Sequence, residues 1–222
     1  MCASFNQKNI IELATQLFDL SNKVSDIFGL DDQVFPYRNA LVITKDKTIK
    51  MSKFHYSLTP SWSKVEKVKW ATYNARLNRT NSKTNKFEKI YEVPTWKSVF
   101  GIKNCVVPML SFRESCVDGI ESGKIVDFKS AKETMLLAAG IYDEWLNIQT
   151  GEIINSFAII TTEPTDYINS IGHDRSPVLL SKEKCIEWIN GVGSKEESYL
   201  YLLNTNLDYL LTYDVIRSTK SK

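Results

Sequence analysis

The second residue, Cys2, is the first side chain in this sequence that could carry out covalent chemistry. Met1 is generally removed before a small residue, so we expect the mature chain to begin with cysteine. Such a residue carries an α-amine beside its thiol, and the α-amine has a lower pKa than a lysine amine. An aldehyde could form an imine with the amine, and the thiol could then close a thiazolidine ring. Judged by its position alone, Cys2 is more often an ordinary residue near a chain end than a nucleophile.

The chain has only two histidines, and His173 lies in a polar cluster between apolar segments. Asp174 could fix the tautomer of the His173 ring, and Arg175 could bind a carboxylate or a phosphate. A turn with a surface salt bridge explains the same residues equally well. His55 has apolar neighbours, and we expect it to be packed or exposed rather than catalytic.

Two further segments carry polar side chains in strand-like patterns. Residues i and i+2 of a strand face the same side, so the Asn74 amide and the Arg76 guanidinium would converge on one ligand. Glu114 lies among apolar residues, where burial would raise its pKa toward acid–base use near neutral pH. Considered one at a time, Asn74, Arg76 and Glu114 are each more often polar residues at a strand edge than functional residues.

One stretch combines aromatic and basic residues. Trp62 and Trp70 flank Lys64, Lys67 and Lys69, a combination that suits base stacking and phosphate contact in a single-stranded nucleic acid. The solvated face of an amphipathic strand gives the same pattern and is the commoner case.

Composition restricts the class of protein. The 222 residues are 43% hydrophobic and 24% charged, which excludes a mainly disordered chain. The net charge of +2 excludes a highly basic nucleic-acid-coating protein but not a local basic groove. Without a membrane-length apolar run or a signal peptide, we expect a cytoplasmic location and no membrane partner. The four cysteines are widely spaced, so we expect no disulfide framework, zinc site or other cofactor.

The hydrophobic pattern predicts the elements that would position these residues. An amphipathic helix is predicted over residues 7–24, and two or three short strands over 39–58 with a turn at 45–47. Later strands are predicted at residues 104–108, 111–117, 134–145, 157–162 and around 207–216. Short helices follow Thr162 and Ser181, and residues 78–92 are predicted to form a long exposed loop. This order predicts an α+β fold with a curled, mostly antiparallel, barrel-like sheet and flanking helices.

Taken in order, seven segments resemble the SOS-response-associated peptidase (SRAP) family. The family pattern reads M-C-G-R, W-G-x-x-P-x-W, N-A-R, R-C-x-x-P followed by a glutamate, A-G-L-[WY], a strand ending in I-x-T, and H-x-R-M-P. The corresponding segments are Met1-Cys2, Phe54–Trp62, Asn74–Arg76, Cys105–Pro108 followed by Glu114, Ala139–Tyr142, Phe157–Thr162 and His173–Pro177. The resemblance spans nearly the whole chain.

The resemblance implies one SRAP-like domain over residues 1–222, a monomer, that captures abasic sites in single-stranded DNA during the DNA damage (SOS) response. Carried over by position, Cys2 would form a thiazolidine with the sugar aldehyde, and Asn74 would orient its amine. Glu114 would be the acid–base group, and His173 would assist opening of the sugar ring. The DNA-binding residues would be Arg76, Arg175, Trp62 and Lys64.

Several positions depart from the family pattern. The Gly-Arg after the cysteine is Ala3-Ser4, so a phosphate-binding arginine is missing. The Trp-Gly of the central motif corresponds to Phe54-His55, which would place a side chain where the family has none. The aromatic residue after the glutamate is Ser115, and the methionine before the last proline is Ser176.

Two alternatives to covalent capture remain open. The first is a thiol peptidase that acts on its own N-terminus or on a protein, with Cys2 as nucleophile and His173 as base. The second is a non-catalytic module that binds single-stranded DNA. The presence of all four of Cys2, Asn74, Glu114 and His173 argues against the second, whereas the near-zero net charge argues for it. The enzyme class, hydrolase or lyase, stays open.

Overall fold

The structure is a computed structural model that describes residues 4–20, 29–206 and 210–218. The described residues form fourteen strands: β1 (Ser4–Asn6), β2 (Gln33–Val34), β3 (Asn39–Lys45), β4 (Ile49–Tyr56), β5 (Asn74–Arg76), β6 (Asn78–Thr80), β7 (Phe87–Lys89), β8 (Asn104–Met109), β9 (Ser111–Ser115), β10 (Lys124–Ser130), β11 (Leu136–Leu146), β12 (Ile153–Thr162), β13 (Ser176–Pro177) and β14 (Leu211–Ser218). The helices are α1 (Ile10–Phe18), α2 (Asp166–Ile171), α3 (Lys182–Asn190) and α4 (Lys195–Thr205), with a 3-10 turn at Ile90–Glu92. None of these helices is long and apolar enough to cross a membrane.

The described residues form two large sheets and the small β6–β7 sheet. The smaller sheet has the strand order β14-β10-β9-β1-β2 and is antiparallel throughout. The larger sheet has the order β11-β8-β3-β4-β12, and β12 also pairs with β11, so five strands close on themselves. Strands β5 and β13 extend the two edges of β12. The prediction of an α+β fold with a curled, mostly antiparallel, barrel-like sheet is therefore confirmed.

Strands β3 and β8 of the larger sheet are buried on both faces because they are apolar on both sides, whereas β4 carries Lys50, Ser52 and Lys53 and is only partly buried. In β3, Leu41 and Ile43 face a core built with α1, α3 and α4, whereas Ala40 and Val42 face the smaller sheet. We call these the helix-side core and the inter-sheet core. The inter-sheet core also receives Phe112 of β9, so one face of β9 lies against the larger sheet.

The predicted first helix is present as α1, which buries Ile10, Ala14 and Phe18 at helical spacing. It is shorter than predicted, because it begins at Ile10 rather than residue 7 and ends at Phe18, where Asp19 takes a left-handed backbone conformation. Residues 21–28, on which the end of that prediction falls, lie outside the described residues. The predicted strands correspond to β3, β4, β8, β9, β11, β12 and β14, and the predicted cap of α3 is present, since the Ser181 hydroxyl accepts from the Lys184 amide.

The prediction of a long loop over residues 78–92 is wrong. Strands β6 and β7 form a hairpin there, followed by the 3-10 turn. Polar cross-strand contacts stabilise the hairpin: Arg79 Nη2 lies 2.7 Å from Glu88 Oε2, and the Asn81 amide donates to Glu88 Oε1 at 2.9 Å. Because paired charges rather than alternating apolar residues hold these strands together, the hydrophobic pattern does not reveal them.

Candidate functional site

A buried carboxyl–imidazole pair is the chemically most distinctive feature of the described residues. Glu114 lies in β9, two residues after Phe112, so its side chain faces the same inter-sheet space. Its relative exposure is 0%, and that of His173 is 7%. Glu114 Oε2 lies 3.1 Å from His173 Nε2. The structure thus brings together two of the predicted catalytic residues, which are 59 positions apart in the sequence.

Two glycines allow His173 to approach β9. Gly172 ends α2 with a φ of 122°, and a Cβ atom on it would lie 1.8 Å from the Asp118 carbonyl oxygen. A Cβ atom on Gly119 would lie 2.7 Å from the Gly172 backbone. The Val117 amide donates to the Gly172 carbonyl at 3.0 Å. This backbone-to-backbone packing fixes the residue that follows Gly172 against the end of β9.

Hydrogen bonding determines which atoms of the pair carry protons. His173 Nδ1 lies 3.0 Å from the Ser115 carbonyl oxygen, which can only accept, so Nδ1 carries the hydrogen. In the neutral ring Nε2 then carries no hydrogen, and it lies 3.1 Å from Glu114 Oε2. Burial raises the pKa of Glu114 to about 8, as expected from its apolar surroundings, and lowers the pKa of His173 to about 4. At neutral pH the pair is therefore a protonated carboxyl beside a neutral imidazole.

The prediction that Asp174 fixes the tautomer of the His173 ring is wrong. Its Oδ1 lies 3.9 Å from Nε2 of His173, not beside Nδ1, and its side chain is 69% exposed. The Ser115 carbonyl fixes the tautomer instead, because it occupies the Nδ1 side of the ring.

Asn74 and Arg76 lie on β5, which pairs in parallel with β12. Asn74 is opposite Ile159 of the inter-sheet core, so its side chain faces the space that Glu114 also faces. Arg76 is opposite Thr161, and Thr161 is opposite Pro177 on the other edge of β12. The pairing therefore brings Arg76 to the corner of the larger sheet where the 173–177 segment ends.

Thr161 is a residue to which the sequence assigned no role. Its exposure is 1%, and its hydroxyl has no hydrogen-bond partner among the described residues. It lies in register with Arg76, so both side chains are on the inter-sheet face. In the sequence, the one indication of a role for Thr161 was that it lies in Phe157–Thr162, the segment that corresponds to the family's strand ending in I-x-T.

The predicted DNA-binding residues are distributed over different surfaces. Arg175 Nη1 contacts Glu163 Oε1 at 2.6 Å, and only 13% of the Arg175 side chain is exposed. Trp62 is exposed and stacks on Trp70 with ring centroids 6.3 Å apart, in an open groove of about 690 Å³ beside the β6–β7 hairpin. Lys64 is exposed two residues further along the chain. Of the four, Arg76 and Arg175 lie at the corner where the 173–177 segment ends, whereas Trp62 and Lys64 lie on the 61–70 segment.

Cys2 lies outside the described residues, so its predicted place in the site stays a prediction. The described chain begins at Ser4, which pairs with Arg113 of β9. Within the described ranges, no three His, Cys, Asp or Glu side chains gather closely enough to hold a metal ion.

The assignment of Phe54-His55 to the family's Trp-Gly positions is wrong. Counting back from Pro60 in W-G-x-x-P places the pair at Tyr56-Ser57. The backbone supports this count, because Ser57 has a φ of 148°, in the region that favours glycine. The side chain that replaces the family glycine is therefore that of Ser57, and its hydroxyl lies 3.0 Å from the Thr72 hydroxyl.

Comparison with known proteins identifies the family to which this chain is similar. The sequence matches the family described as SOS response associated peptidase (SRAP) over residues 1–220. The abasic site processing protein YoaM of Bacillus subtilis (strain 168) is 31% identical over 177 residues, which are 79% of this chain and 71% of that protein. YobE of the same strain, also named an abasic site processing protein, is 30% identical over 182 residues, which are 82% and 74% of the two chains.

Solved structures show the same fold. A protein from Bacteroides thetaiotaomicron is 25% identical, with a TM-score of 0.74 over 97% of this chain and 92% of the other. A protein from Bordetella bronchiseptica is 19% identical, with a TM-score of 0.74 over 97% of this chain and 100% of the other. On the match over residues 1–220 and the relatives at 30% and 31% identity, this chain belongs to the SOS response associated peptidase (SRAP) family.

Proposed function

We propose that this protein captures abasic sites in single-stranded DNA through a covalent bond to Cys2. The observation that carries the proposal is the buried pair of Glu114 and His173, with Oε2 and Nε2 3.1 Å apart, in a chain whose curated relatives are named abasic site processing proteins. An abasic nucleotide exposes an aldehyde, and its condensation with an amine needs a group that can donate and take back a proton near neutral pH. Glu114, with a pKa of about 8, meets that need.

Chain connectivity supports the participation of Cys2. Ser4 pairs with Arg113, and Glu114 is the next residue along β9. Cys2 precedes Ser4 by two residues, and two residues span at most about 7 Å. This reach is short enough for one nucleotide to contact Cys2 and the acid–base pair together, which supports the proposal.

The first step is the opening of the closed sugar. Opening removes a proton from the hydroxyl on C1′, adds a proton to the ring oxygen and frees the C1′ aldehyde. His173 Nε2 accepts the first proton while the Glu114 carboxyl supplies the second. The proton then passes from the imidazole to the carboxylate across their 3.1 Å contact, and the pair returns to its starting state.

The second step forms and closes the adduct. The Cys2 α-amine, oriented by the Asn74 amide, attacks C1′, and the resulting hydroxyl leaves as water after taking a proton from Glu114. The nitrogen gives up a proton, which the Glu114 carboxylate takes back. The thiol then adds to the imine carbon and its proton moves to the nitrogen. The net change is the formation of a thiazolidine and the loss of one water.

Single-stranded DNA is the form that fits these surfaces. The acid–base pair is buried, so a sugar must leave a stacked duplex to reach it, at a cost of a few kcal/mol. The stacked pair Trp62 and Trp70 offers exposed aromatic faces to unpaired bases, and Arg76 and Lys64 offer positive charge to phosphates.

Intact-mass spectrometry after incubation with an abasic oligonucleotide tests the proposal. We expect a species with the mass of the chain without Met1 plus the oligonucleotide minus one water. Cys2→Ala should abolish the stable adduct, whereas Cys2→Ser should leave only a reducible imine, because its oxygen closes the ring poorly. An oligonucleotide whose abasic analogue lacks the aldehyde is the matched control. A full-strength stable adduct of Cys2→Ala would overturn covalent capture by Cys2.

The family's description as a peptidase favours a second candidate activity, removal of Met1 by the same groups. The same mass spectra separate the two activities. If Glu114→Gln retains Met1 while the wild-type chain loses it in a purified translation system without aminopeptidase, the chain processes itself. Equal removal in both would exclude self-processing without affecting covalent capture.

A further inference from the structure

Gln7 is a buried polar side chain to which the proposed mechanism gives no role. It follows β1 directly and is 3% exposed. Its amide nitrogen donates to the Leu41 carbonyl of β3 at 2.9 Å and to the Pro108 carbonyl of β8 at 2.7 Å. Its amide oxygen accepts from the Leu41 amide at 2.8 Å. The side chain of Gln7 is therefore bonded to two strands of the larger sheet at once.

A proline explains why a side chain is bonded between these strands. β3 and β8 are antiparallel and pair at Ile43 and Val106, and the same register two residues further on places Leu41 opposite Pro108. Proline has no backbone N–H, so Pro108 cannot donate to the Leu41 carbonyl. The Gln7 amide supplies that donor and also accepts from the Leu41 amide. Gln7 thus completes the β3–β8 ladder where β8 lacks a donor.

The same position joins the two large sheets. β8 belongs to the larger sheet, and the chain passes through Leu110 into β9 of the smaller sheet. The Leu110 amide donates to the Asn6 carbonyl at 2.8 Å, which binds the end of β1 to this junction. Backbone hydrogen bonds therefore hold β1 against β9, and the Gln7 side chain holds the end of β1 against β3 and β8.

From these contacts, we propose that Gln7 is a positioning residue for covalent capture. The groups assigned to the reaction come from both sheets, because Glu114 lies on β9 of the smaller sheet and Asn74 lies on β5 at the edge of the larger sheet. Cys2 precedes Ser4 of β1 by two residues, and Gln7 follows the other end of that strand. Gln7 thereby keeps the strand that leads to Cys2 in one position relative to both sheets. The inference rests on the proposed function, since it takes Cys2 as the nucleophile.

β1 depends on such an anchor because it is short. Its three residues pair with β9, and Phe5 is its one apolar side chain, packed in the inter-sheet core. When the Gln7 amide is removed, the end of β1 loses its three hydrogen bonds to the larger sheet. A misplacement of about 1 Å between reacting groups costs about 10²-fold in rate.

The test compares Gln7→Met with the wild type in single-turnover adduct formation. Methionine is unbranched and fills nearly the same space, but it has no amide to bond Leu41 and Pro108. With a saturating abasic oligonucleotide we expect a rate about 10²-fold lower, whereas the half-saturating concentration stays at the wild-type value. Gln16→Met, exposed on α1, is the matched control and should react like the wild type. A folded Gln7→Met that reacts at the wild-type rate would overturn the inference.

A small free aldehyde separates positioning from a general loss of reactivity at the N-terminus. Formaldehyde diffuses directly to the Cys2 amine and thiol, so its capture needs no alignment with Asn74 or Glu114. The amine nitrogen and the sulfur both bond to its carbon, and its oxygen leaves as water. Intact mass should show the same capture rate in Gln7→Met and the wild type. If formaldehyde capture slows as much as capture of the abasic oligonucleotide, Gln7 does not act through alignment.

Gln7→Glu keeps the shape of the side chain and replaces the NH₂ group by an oxygen. As a neutral acid it can donate to one of the two carbonyls and still accept from the Leu41 amide, whereas as a carboxylate it faces both carbonyls without a hydrogen. The ratio of its adduct rate to that of the wild type should therefore fall as pH rises, because the carboxylate form breaks the anchor. A ratio that does not change with pH would contradict the role of Gln7, and this measurement decides the question if Gln7→Met fails to fold.

The wild type tests the proposed function, and the ratio of variant to wild type tests the role of Gln7. If the wild type forms no adduct with an abasic oligonucleotide, covalent capture fails and the role of Gln7 fails with it. If the wild type forms the adduct and Gln7→Met forms it equally fast, covalent capture is supported and the role of Gln7 alone is overturned.

Discussion

The protonation state of the buried pair predicts how the stability of the protein depends on pH. Glu114 has a pKa of about 8 in the folded chain against 4.5 ordinarily, so between these values the folded state holds a proton that the unfolded state has lost. Its contribution therefore makes the folded state less stable as pH rises from 4.5 to 8. His173 has a pKa of about 4 against 6.5 ordinarily, so its contribution makes the folded state more stable as pH rises from 4 to 6.5.

The two contributions oppose each other over most of the acid range. Between pH 4.5 and 6.5 they nearly cancel, and the pair adds little slope to the stability curve. Between pH 6.5 and 8 only Glu114 titrates differently in the two states, over about 1.5 pH units. At 1.36 kcal/mol per unit, the pair costs the folded state about 2 kcal/mol of stability across that window.

Glu114→Gln isolates this contribution. The amide cannot titrate and fills nearly the same volume, so the loss between pH 6.5 and 8 should disappear, whereas the His173 contribution below pH 6.5 should remain. Chemical denaturation at half-unit pH intervals measures both curves, and the difference between variant and wild type removes the contributions of all other groups. Glu133→Gln, an exposed carboxyl, is the matched control. A variant curve parallel to that of the wild type from pH 6.5 to 8 would refute the assignment of the proton to Glu114.

Three further predictions follow from the site. Glu114→Gln and His173→Ala should each slow adduct formation by roughly 10²–10⁴, measured by single-turnover cross-linking, and near-normal rates would remove both from the mechanism. Affinity for single strands should fall by about 0.7 log units per contacted phosphate for each tenfold rise in salt, and duplex should bind more weakly; equal or salt-independent binding would contradict the groove. Ser57→Gly should be more stable than Ser57→Ala by about 1 kcal/mol in urea denaturation, the reverse of the usual order, because only glycine relieves the positive φ.

The sequence predicted those parts of the fold in which the residues of a single element show how that element is buried and where it ends. In β3, apolar residues on both faces end at the polar turn 45–47, and the structure places the β3–β4 hairpin there. The cap of α3 was equally local, since Ser181 lies at the first turn of that helix. By contrast, α4 was not predicted although it begins with a capping box of Ser194 and Glu197, because few apolar residues mark its buried face.

The raised pKa of Glu114 was predictable because a carboxyl within an apolar strand is desolvated whatever its partner. The partner itself was not predictable. Burial of His173 depends on Gly172 and Gly119 meeting backbone to backbone, a contact between two loops that are distant in sequence. The tautomer depends on a main-chain carbonyl, that of Ser115, and any residue type at that position supplies the same group.

The geometry also changes which half of the pair is the acid. From reference pKa values, His173 would carry the mobile proton near neutral pH, and Glu114 would be a carboxylate. Burial reverses this assignment, because a neutral carboxyl beside a neutral imidazole avoids the cost of two buried charges. A protonated carboxyl beside an aldehyde can donate to a departing hydroxyl at pH 7, which a carboxylate could not. The same burial that reduces stability above pH 6.5 is thus what gives the site an acid at neutral pH.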